Sequence, residues 1–414
     1  SVSSRFRRVF SPMPMASSAS VTEMDRNREI FRETEMSTMD SIRYMVRFMH
    51  CSFVAIEPDT RHVKAWVGDI NFESWKYDKV TAMRQPGSTF KLFVYTEAMN
   101  QGLTPCDRRV DEWKQYPDTV KGKPTIWTPH NANGTFSGAN IPLKSAFAQS
   151  INSIAVKLGY ETGISNVART AHAMGIESPL HETPSLSLGS SDVNLLELVN
   201  AYCTVINDGK VNMPIMITKI LDRDGDVIYE AKPDEKQVIP YRSAFFMQQM
   251  LRGGLTERGG TTAALWSYIH PVLNMSEFGG KTGTSNNHSD AWFVGVTPKL
   301  VGGAWVGGEY RSIHFRTGAL GQGSRTALPI FGNFIQKVLL DNRFPKYRAK
   351  FPTTPKERID PSCYTCSGYY VEEEPDSLSE TSDSISIILP DDILPQEGNN
   401  ADTESEIQDE MTTE

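Results

Sequence analysis

Residues 84–91 read Arg-Gln-Pro-Gly-Ser-Thr-Phe-Lys and place Ser88 three residues before Lys91. The run from Ser88 to Asn100 lacks proline and glycine, is rich in apolar residues and is followed by Gly102, so it predicts a buried helix that begins at Ser88. On such a helix the hydroxyl and the amine share one face. A buried lysine with a lowered pKa can take the proton of a serine, so the stretch indicates a nucleophilic serine.

Two further motifs follow in the chain. Ser150-Ile-Asn152 lies within a second predicted helix, residues 143–158, and Lys281-Thr-Gly-Thr284 opens a β-rich region after two glycines. The order Ser-x-x-Lys, Ser-x-Asn, Lys-Thr-Gly is typical of one class of serine acyl-transfer enzymes. Three distant segments are therefore expected to meet in one cleft.

Each motif taken alone also has a purely structural interpretation. Ser88 would cap a helix while Lys91 faces solvent. Ser150 would bond its own helix backbone, Asn152 would be a buried structural amide, and Thr282 would be an ordinary β-branched strand residue. The joint occurrence of the motifs, in order, favours the catalytic interpretation.

The sequence resembles the transpeptidase domain of class A penicillin-binding proteins over about residues 50–345. The similarity extends beyond the three motifs into their surroundings. The blocks that carry it are 84–91, 142–152, 187–190 with 196–202, and 279–284 with 290–295. The resemblance implies a mixed α/β (α+β) fold of the penicillin-binding transpeptidase and β-lactamase type, with an antiparallel sheet flanked by helices and a helical subdomain.

The resemblance also implies roles for the catalytic residues. Ser88 would be the acylated nucleophile and Lys91 its base. Ser150 would relay a proton between Lys91 and the leaving group, and Lys281 would supply positive potential.

Substrate contacts follow from the same resemblance. Asn152 would hydrogen-bond the substrate peptide, Thr282 and Thr284 would contact its carboxylate, and Gly283 would allow close approach because it has no Cβ. The backbone N–H groups of Ser88 and Thr284 would form the oxyanion hole. No metal or organic cofactor is implied.

Two histidines, His130 and His288, are the alternative bases. A loop histidine is more often solvated than catalytic, and Lys91 already supplies a base. Neither histidine is needed for the predicted chemistry.

The expected activity is that of a serine D-Ala-D-Ala transpeptidase or carboxypeptidase that cross-links peptidoglycan stem peptides and is inhibited by β-lactams. Its partners would be a D-Ala-D-Ala donor, an amine acceptor and β-lactam antibiotics. The alternatives are a β-lactamase, a carboxypeptidase alone, or a penicillin sensor that turns nothing over. Glu197 is the nearest candidate for the deacylating base of a β-lactamase, but its surroundings favour a structural role.

Composition and charge divide the chain into three parts: a linker or remnant of an upstream module at 1–48, the transpeptidase domain at 49–351, and an acidic, mostly disordered tail at 352–414. The formal net charge is −8, yet residues 371–414 hold 15 of the 50 acidic residues and no lysine or arginine. The remainder is weakly basic, with its charges scattered, so nucleic-acid binding is not expected.

Hydrophobic patterning predicts the other elements: a helix around Met39 to His50, a strand-turn-strand unit over 52–67, antiparallel strands at 290–296 and 300–306, and a closing helix over 326–340. A spanning helix needs about 18 apolar residues in a row, and no such run occurs. By resemblance, the domain belongs at the extracytoplasmic face of the membrane, with an anchor and a glycosyltransferase module upstream.

The cysteines are odd in number and cannot all pair within the chain: Cys51, Cys106, Cys203, Cys363 and Cys366. The first three lie in apolar or mixed sequence and are predicted to be buried thiols. The spacing of Cys363 and Cys366 fits half a zinc site or a redox pair, but no second ligand pair accompanies it. The favoured interpretations are a local disulfide between Cys363 and Cys366 or two free thiols without a specific role.

Overall fold

The computed structural model describes residues 17–25, 28–120 and 123–366. Its strands are β1 (Ser17–Asp25), β2 (Arg28–Met36), β3 (Met49–Ile56), β4 (Val63–Val67), β5 (Arg108–Val110), β6 (Tyr116–Val120), β7 (Lys123–Trp127), β8 (Asn140–Pro142), β9 (Lys210–Val211), β10 (Lys219–Leu221), β11 (Val227–Glu230), β12 (Lys236–Gln237), β13 (Gly279–Thr284), β14 (Asp290–Val296) and β15 (Val301–Gly308). Its α-helices are α1 (Thr38–Met45), α2 (Lys91–Asn100), α3 (Leu143–Gln149), α4 (Asn152–Thr162), α5 (Ile164–Ala173), α6 (Leu195–Ile206), α7 (Tyr241–Thr256), α8 (Trp266–Ile269), α9 (Gly318–Gly321) and α10 (Ala327–Leu340). Short 3-10 helices include Gly87–Phe90 and Pro184–Leu188. Within the described ranges, no helix is both long and apolar enough to cross a membrane.

The central sheet is antiparallel and has five strands in the order β13-β14-β15-β3-β4. Every residue of β14 and β15 is buried, so both faces of the sheet are covered, and the apolar runs at 290–296 and 300–306 form the adjacent strands that were predicted. The predicted strand-turn-strand unit over 52–67 is the pair β3 and β4. β13 lies at one edge of this sheet.

Alternate residues along the strands face two separate cores. On β14, Trp292 and Val294 pack with the core formed by α2, α6 and α7, whereas Phe293 packs with the core on α10, where its ring lies 5.5 Å from that of Phe331. Burying one such large side chain stabilises the fold by about 1.5–3 kcal/mol. The result is an antiparallel sheet flanked by helices, as the resemblance implied.

The helix that follows Ser88 is present, but its first turn differs from the prediction. Residues 87–90 form a 3-10 turn, and the α-helix runs from Lys91 to Asn100. Every residue from Lys91 to Met99 is buried, which explains why the segment is apolar all round. Lys91 therefore starts a helix in the interior of the protein.

The single helix predicted over 143–158 is wrong, because two helices occupy this segment. α3 ends at Gln149, and Ser150 adopts the left-handed conformation with φ 60° and ψ 39°. Ile151 is extended, and α4 begins at Asn152. Tertiary contacts impose this break, since nothing in the local sequence requires a non-glycine residue to take a positive φ.

The helix predicted around Met39 to His50 is shorter than expected. α1 ends at Met45, and Met49 already belongs to β3, where His50 lies opposite Gly307 of β15. Pairing with β15 outweighs the helical pattern of the local sequence.

The disulfide connects Cys106 to Cys366, which corrects two expectations about the cysteines: Cys106 is not a thiol, and no local bond joins Cys363 to Cys366. Cys51, Cys203 and Cys363 are free thiols. Cys203 is buried as predicted, whereas Cys51, also predicted to be buried, is only half-buried. A disulfide between residues so far apart in the chain cannot be deduced from local spacing.

Residues 352–366 pack on the domain, so the expectation of a mostly disordered tail from residue 352 is wrong for this first part. Ile359 is buried in the larger core, and Tyr364 stacks edge-on against Phe245 of α7 at 5.1 Å. The rest of the predicted tail, residues 367–414, lies outside the described residues, as do residues 1–16, 26 and 27 of the predicted linker.

Candidate active site

The turn that carries Ser88 lies directly against the end of β13. Gly87 has φ +54°, and a Cβ at this position would lie 2.5 Å from the carbonyl oxygen of Thr284. A Cβ on Gly283 would lie 2.5 Å from the carbonyl oxygen of Pro86. Glycine at both positions is therefore required for the two backbones to approach, and this approach places the first and last motifs side by side.

Lys91 is fully buried, and within the described part of the chain its amine donates only to neutral oxygens. Nζ donates to the carbonyl oxygen of Ser150 at 2.6 Å, to Oδ1 of Asn152 at 2.6 Å and to the hydroxyl of Ser150 at 3.2 Å. These contacts bring the first and second motifs together. They also leave an ammonium at this position without a paired carboxylate among the described contacts.

Lys281 is the second buried amine, with 1% of its surface exposed. Its Nζ donates to the hydroxyl of Ser150 at 2.8 Å and to the carbonyl oxygen of Thr282 at 3.0 Å, and it lies 5.7 Å from the centre of the Phe147 ring. The hydroxyl of Ser150 is thus shared by two amines. All three motifs converge on this one oxygen.

Both amines have pKa values below the ordinary range for lysine. Burial, and next the charge of Lys281, lower the pKa of Lys91 well below its usual value. Burial alone lowers the pKa of Lys281 to about 7. Because two charges so close disfavour one another, the pair favours states in which one amine is neutral. A neutral amine can accept a proton from a hydroxyl.

The left-handed backbone of Ser150 explains how one residue contacts Lys91 twice. Its carbonyl oxygen and its hydroxyl oxygen both accept from Lys91 Nζ. The conformation costs about 1–2 kcal/mol for a residue other than glycine, and the contacts of the site offset that cost. The interpretation of Ser150 as a hydroxyl bonded to its own helix does not describe this geometry.

Asn152 is the first residue of α4 and uses both ends of its side-chain amide within the protein. Oδ1 accepts from Lys91, and Nδ2 donates to the carbonyl oxygen of His130 at 2.7 Å. An amide NH₂ has two hydrogens, so one donor is left for a ligand. The expected contact with a substrate peptide is therefore limited to this second N–H.

The threonines of β13 have different environments. The hydroxyl of Thr282 is buried and donates to the hydroxyl of Thr261 at 2.8 Å, while the hydroxyl of Thr284 accepts from the backbone N–H of Gly323 at 3.2 Å. Thr261 belongs to none of the three sequence motifs. Its position directly after Gly259-Gly260 is a weak signal of a tight turn next to the site.

Comparison with protein families matches residues 51–310, more than half of the chain, to the family described as penicillin binding protein transpeptidase domain. The chain belongs to the penicillin-binding protein transpeptidase family. The resemblance inferred from the motifs is thereby confirmed.

Relatives of this transpeptidase domain are longer than the chain. Penicillin-binding protein 2D of Bacillus subtilis is 35% identical over 262 residues, which cover 63% of this chain and 37% of the relative. Penicillin-binding protein 1A of Aquifex aeolicus is 34% identical over 288 residues, which cover 69% of this chain and 38% of the relative. The chain thus spans well under half the length of these relatives.

Solved structures show the same fold. Penicillin-binding protein 1A from Haemophilus influenzae superposes with a TM-score of 0.65 at 24% identity, over 77% of this chain and 51% of that one. PonA1 from Mycobacterium tuberculosis, solved in complex with penicillin V, superposes with a TM-score of 0.60 at 22% identity, over 75% of this chain and 81% of that one. These similarities confirm the predicted fold of the transpeptidase domain.

The two candidate histidines stand apart from the amines of the transpeptidase site. The side chain of His130 is exposed, and only its backbone carbonyl reaches Asn152. His288 lies in the connection between β13 and β14. Among the described contacts, no hydrogen bond joins either imidazole to Ser88 or Lys91.

Glu197 has the hydrogen-bond partners of a structural carboxylate. Its Oε2 accepts from the hydroxyl of Ser178 at 2.6 Å, and its Oε1 accepts from Nδ2 of Asn194 at 2.6 Å. Asn194 in turn caps α6 by accepting from the backbone N–H of Glu197. The carboxylate fastens the start of α6 to the loop that carries Ser178.

Asn131 is a second residue near the site that belongs to none of the sequence motifs. Its Oδ1 accepts from the backbone N–H groups of Asn152 and Ser153, at 3.0 and 3.1 Å. It is the neighbour of His130, which was considered only as a possible base. The feature that could have pointed to this role is the amide side chain of Asn131 itself, since asparagine is a preferred helix cap.

Proposed function

We propose that residues 49–351 form a serine D,D-transpeptidase domain that cross-links peptidoglycan stem peptides through an acyl-enzyme on Ser88 and is acylated by β-lactams. One observation carries this proposal: the hydroxyl of Ser150 accepts from two buried amines, Lys91 at 3.2 Å and Lys281 at 2.8 Å, beside the turn that carries Ser88. The family supports penicillin binding and transpeptidase chemistry.

The first step is acylation. Lys91, held neutral by burial and by the nearby charge of Lys281, takes the proton of Ser88, whose Oγ attacks the carbonyl of the D-Ala-D-Ala bond. The backbone N–H groups of Ser88 and Thr284 stabilise the oxyanion. When the intermediate collapses, the proton passes from Lys91 through the hydroxyl of Ser150 to the departing D-Ala amine.

The second step returns the enzyme to its free form. An amine of a neighbouring stem peptide attacks the acyl carbonyl, loses a proton along the same path, and leaves with the acyl group while Ser88 regains its hydrogen. The second N–H of Asn152 holds the donor peptide in both steps.

The negative charge of the bound substrate favours a protonated Lys281 beside a neutral Lys91. The terminal carboxylate of the donor peptide binds at Thr282 and Thr284 next to Lys281, and Gly283 leaves room for it. A negative charge there raises the pKa of Lys281, so that Lys281 stays protonated on binding. The resulting positive charge keeps Lys91 neutral and ready to act as the base.

The division of the sequence into residues 1–48, 49–351 and 352–414 supports a proposal about the longer protein to which this domain belongs. Residues 1–48 link the domain to an upstream module, and the acidic tail belongs after the packed segment that ends at Cys366. The parent is anchored in the membrane with this domain at its extracytoplasmic face, and a glycosyltransferase module lies upstream. Relatives more than twice as long as the matched segment support this arrangement.

Intact-mass analysis after incubation with benzylpenicillin tests the proposal. We expect one adduct of the mass of the antibiotic per chain, and we expect Ser88→Ala to abolish it while the melting temperature stays unchanged. Ser190→Ala is a matched control in a neighbouring loop and should be acylated normally. An adduct that persists on Ser88→Ala would overturn the assignment.

A further inference from the structure

A buried carboxylate, Asp111, lies at the centre of a hydrogen-bond network next to the junction between α3 and α4. It is 4% exposed. Its Oδ1 accepts from the hydroxyl of Ser153 at 2.5 Å and from Nδ2 of Asn131 at 2.8 Å, and its Oδ2 accepts from the backbone N–H and the hydroxyl of Ser137, both at 2.9 Å. The carboxylate is fully engaged by neutral donors.

Asn131 connects this carboxylate to the catalytic segment. While its Nδ2 donates to Asp111, its Oδ1 accepts from the backbone N–H groups of Asn152 and Ser153. These are the first two residues of α4, whose own N-cap residue, Ile151, has no side chain that can cap. Asn131 therefore caps the helix from a distant loop.

The capped junction holds two of the oxygens that contact Lys91. The carbonyl of Ser150 and Oδ1 of Asn152 each accept from Lys91 Nζ at 2.6 Å. The backbone between them is a left-handed residue followed by an extended one, a conformation that local preferences do not maintain. An outside restraint is needed, and Asn131 reaches this junction directly.

We propose that Asp111 and Asn131 are positioning residues for acylation, which hold the Ser150–Asn152 junction so that its oxygens stay on the amine of Lys91. Neither residue touches the substrate in this scheme. The inference rests on the proposed function of Ser88 and Lys91. If the pair is broken, the junction relaxes, the amine loses its alignment, and acylation slows although the protein stays folded.

An exchange of the two residues tests the proposal. Asn131→Asp places two carboxylates at the 2.8 Å contact, and Asp111→Asn removes the charge that Asn131 binds. We expect each single change to slow acylation by benzylpenicillin about 10–100-fold, because a shift of about 1 Å in a catalytic group costs this much. The double variant restores the N–H···O contact with donor and acceptor exchanged, and it should recover to within about threefold of the wild type.

Asn133→Asp is the matched control. Asn133 lies in the same loop and is exposed, and its side chain accepts from the backbone N–H of Thr135 at 3.1 Å. The same chemical change there should leave the acylation rate unaltered. If Asn131→Asp does not fold, Asp111→Asn and the double variant still decide the question, because neither of them places two carboxylates in contact.

The dependence of the acylation rate on pH separates positioning from mere stability. Rates are expressed per folded molecule, and a loss of folded protein alone would not move the profile. We expect the rising limb to shift to higher pH in the single variants, because water reaches Lys91, and to return in the double variant. Single variants with the wild-type rate and profile, or a double variant no better than either single one, would overturn the proposal. A wild-type protein that penicillin does not acylate at Ser88 would overturn the proposed function itself.

Discussion

The amine of Lys281 donates a hydrogen bond of 2.8 Å to the hydroxyl of Ser150. The amine of Lys91 reaches the same oxygen at 3.2 Å. A proton on one amine therefore opposes a proton on the other, and a hydroxyl that can pass protons lies between them.

Replacing the base should stop acylation without unfolding the protein. Lys91→Met keeps the apolar stem and removes the amine, so we expect the second-order rate of acylation by benzylpenicillin to fall about 10²–10⁴-fold. The melting temperature should change little, because the lost cost of burying the amine offsets the loss of its hydrogen bonds to Ser150 and Asn152. Lys157→Met, in a surface ion pair on α4, is the control and should acylate normally. An unchanged rate in Lys91→Met would mean that another group takes the proton.

The stability of the protein should depend on pH through Lys281. Burial lowers its pKa to about 7 from 10.5, so between these values the unfolded chain binds more protons than the folded one, and stability rises with pH. Below about pH 7 the full cost of the buried charge remains. We expect Lys281→Met to be more stable than the wild type by a few kcal/mol at pH 6, with the difference shrinking towards pH 10. Urea unfolding at several pH values measures it, and a constant difference would contradict the assignment.

The ionised carboxylate of Glu57 should stabilise the fold at neutral pH and lose this effect in acid. Burial opposes its ionisation, but hydrogen bonds from Lys346, Thr60 and Tyr347 outweigh burial and lower its pKa to about 2 from 4.5. Its contribution is complete above pH 4.5 and is lost as the pH falls towards 2. We expect Glu57→Gln to lose on the order of 3 kcal/mol at pH 7 and to converge with the wild type in acid. Asp59→Asn, in an exposed ion pair of the same turn, should change little.

The disulfide and the packed residues 352–366 should contribute to the free energy of unfolding of the domain. The bond between Cys106 and Cys366 closes a loop across 260 residues. We expect Cys366→Ser to lose about 2–4 kcal/mol of unfolding free energy, and deletion from residue 352 to cost at least as much. Deletion from residue 367 should leave the stability unchanged, and Cys363→Ser is the matched control. Equal stability of the two truncated proteins would show that residues 352–366 contribute nothing.

The lifetime of the acyl-enzyme distinguishes a transpeptidase from a β-lactamase. Rapid hydrolysis needs a base that activates water, and the carboxylate of Glu197 is already held by Ser178 and Asn194. We expect the penicilloyl adduct on Ser88 to survive for minutes to hours and Glu197→Gln to leave that lifetime unchanged. Time-resolved intact-mass analysis measures it. Fast turnover of penicillin that collapses in Glu197→Gln would instead identify a β-lactamase.

The chemistry and the family could be predicted from the sequence alone, because both depend on which side chains occur in which order. Ser88, Lys91 and the Lys-Thr-Gly-Thr motif can be identified from the order of the residues, without knowledge of the tertiary structure. The strands at 290–296 and 300–306 could also be predicted from the sequence, since both consist of short apolar runs bounded by turns. For these elements local preference and tertiary structure agree.

The conformation of the second motif could not be predicted from the sequence, because it depends on contacts between distant segments. A continuous helical pattern covers Ser150, yet contacts with Lys91 and Lys281, and the cap from Asn131, break the helix there. The partner of Cys106 was likewise decided by a segment 260 residues away. Such contacts join residues that are distant in the chain, and their energies outweigh propensities of less than about 1 kcal/mol per residue, so no local pattern could show them.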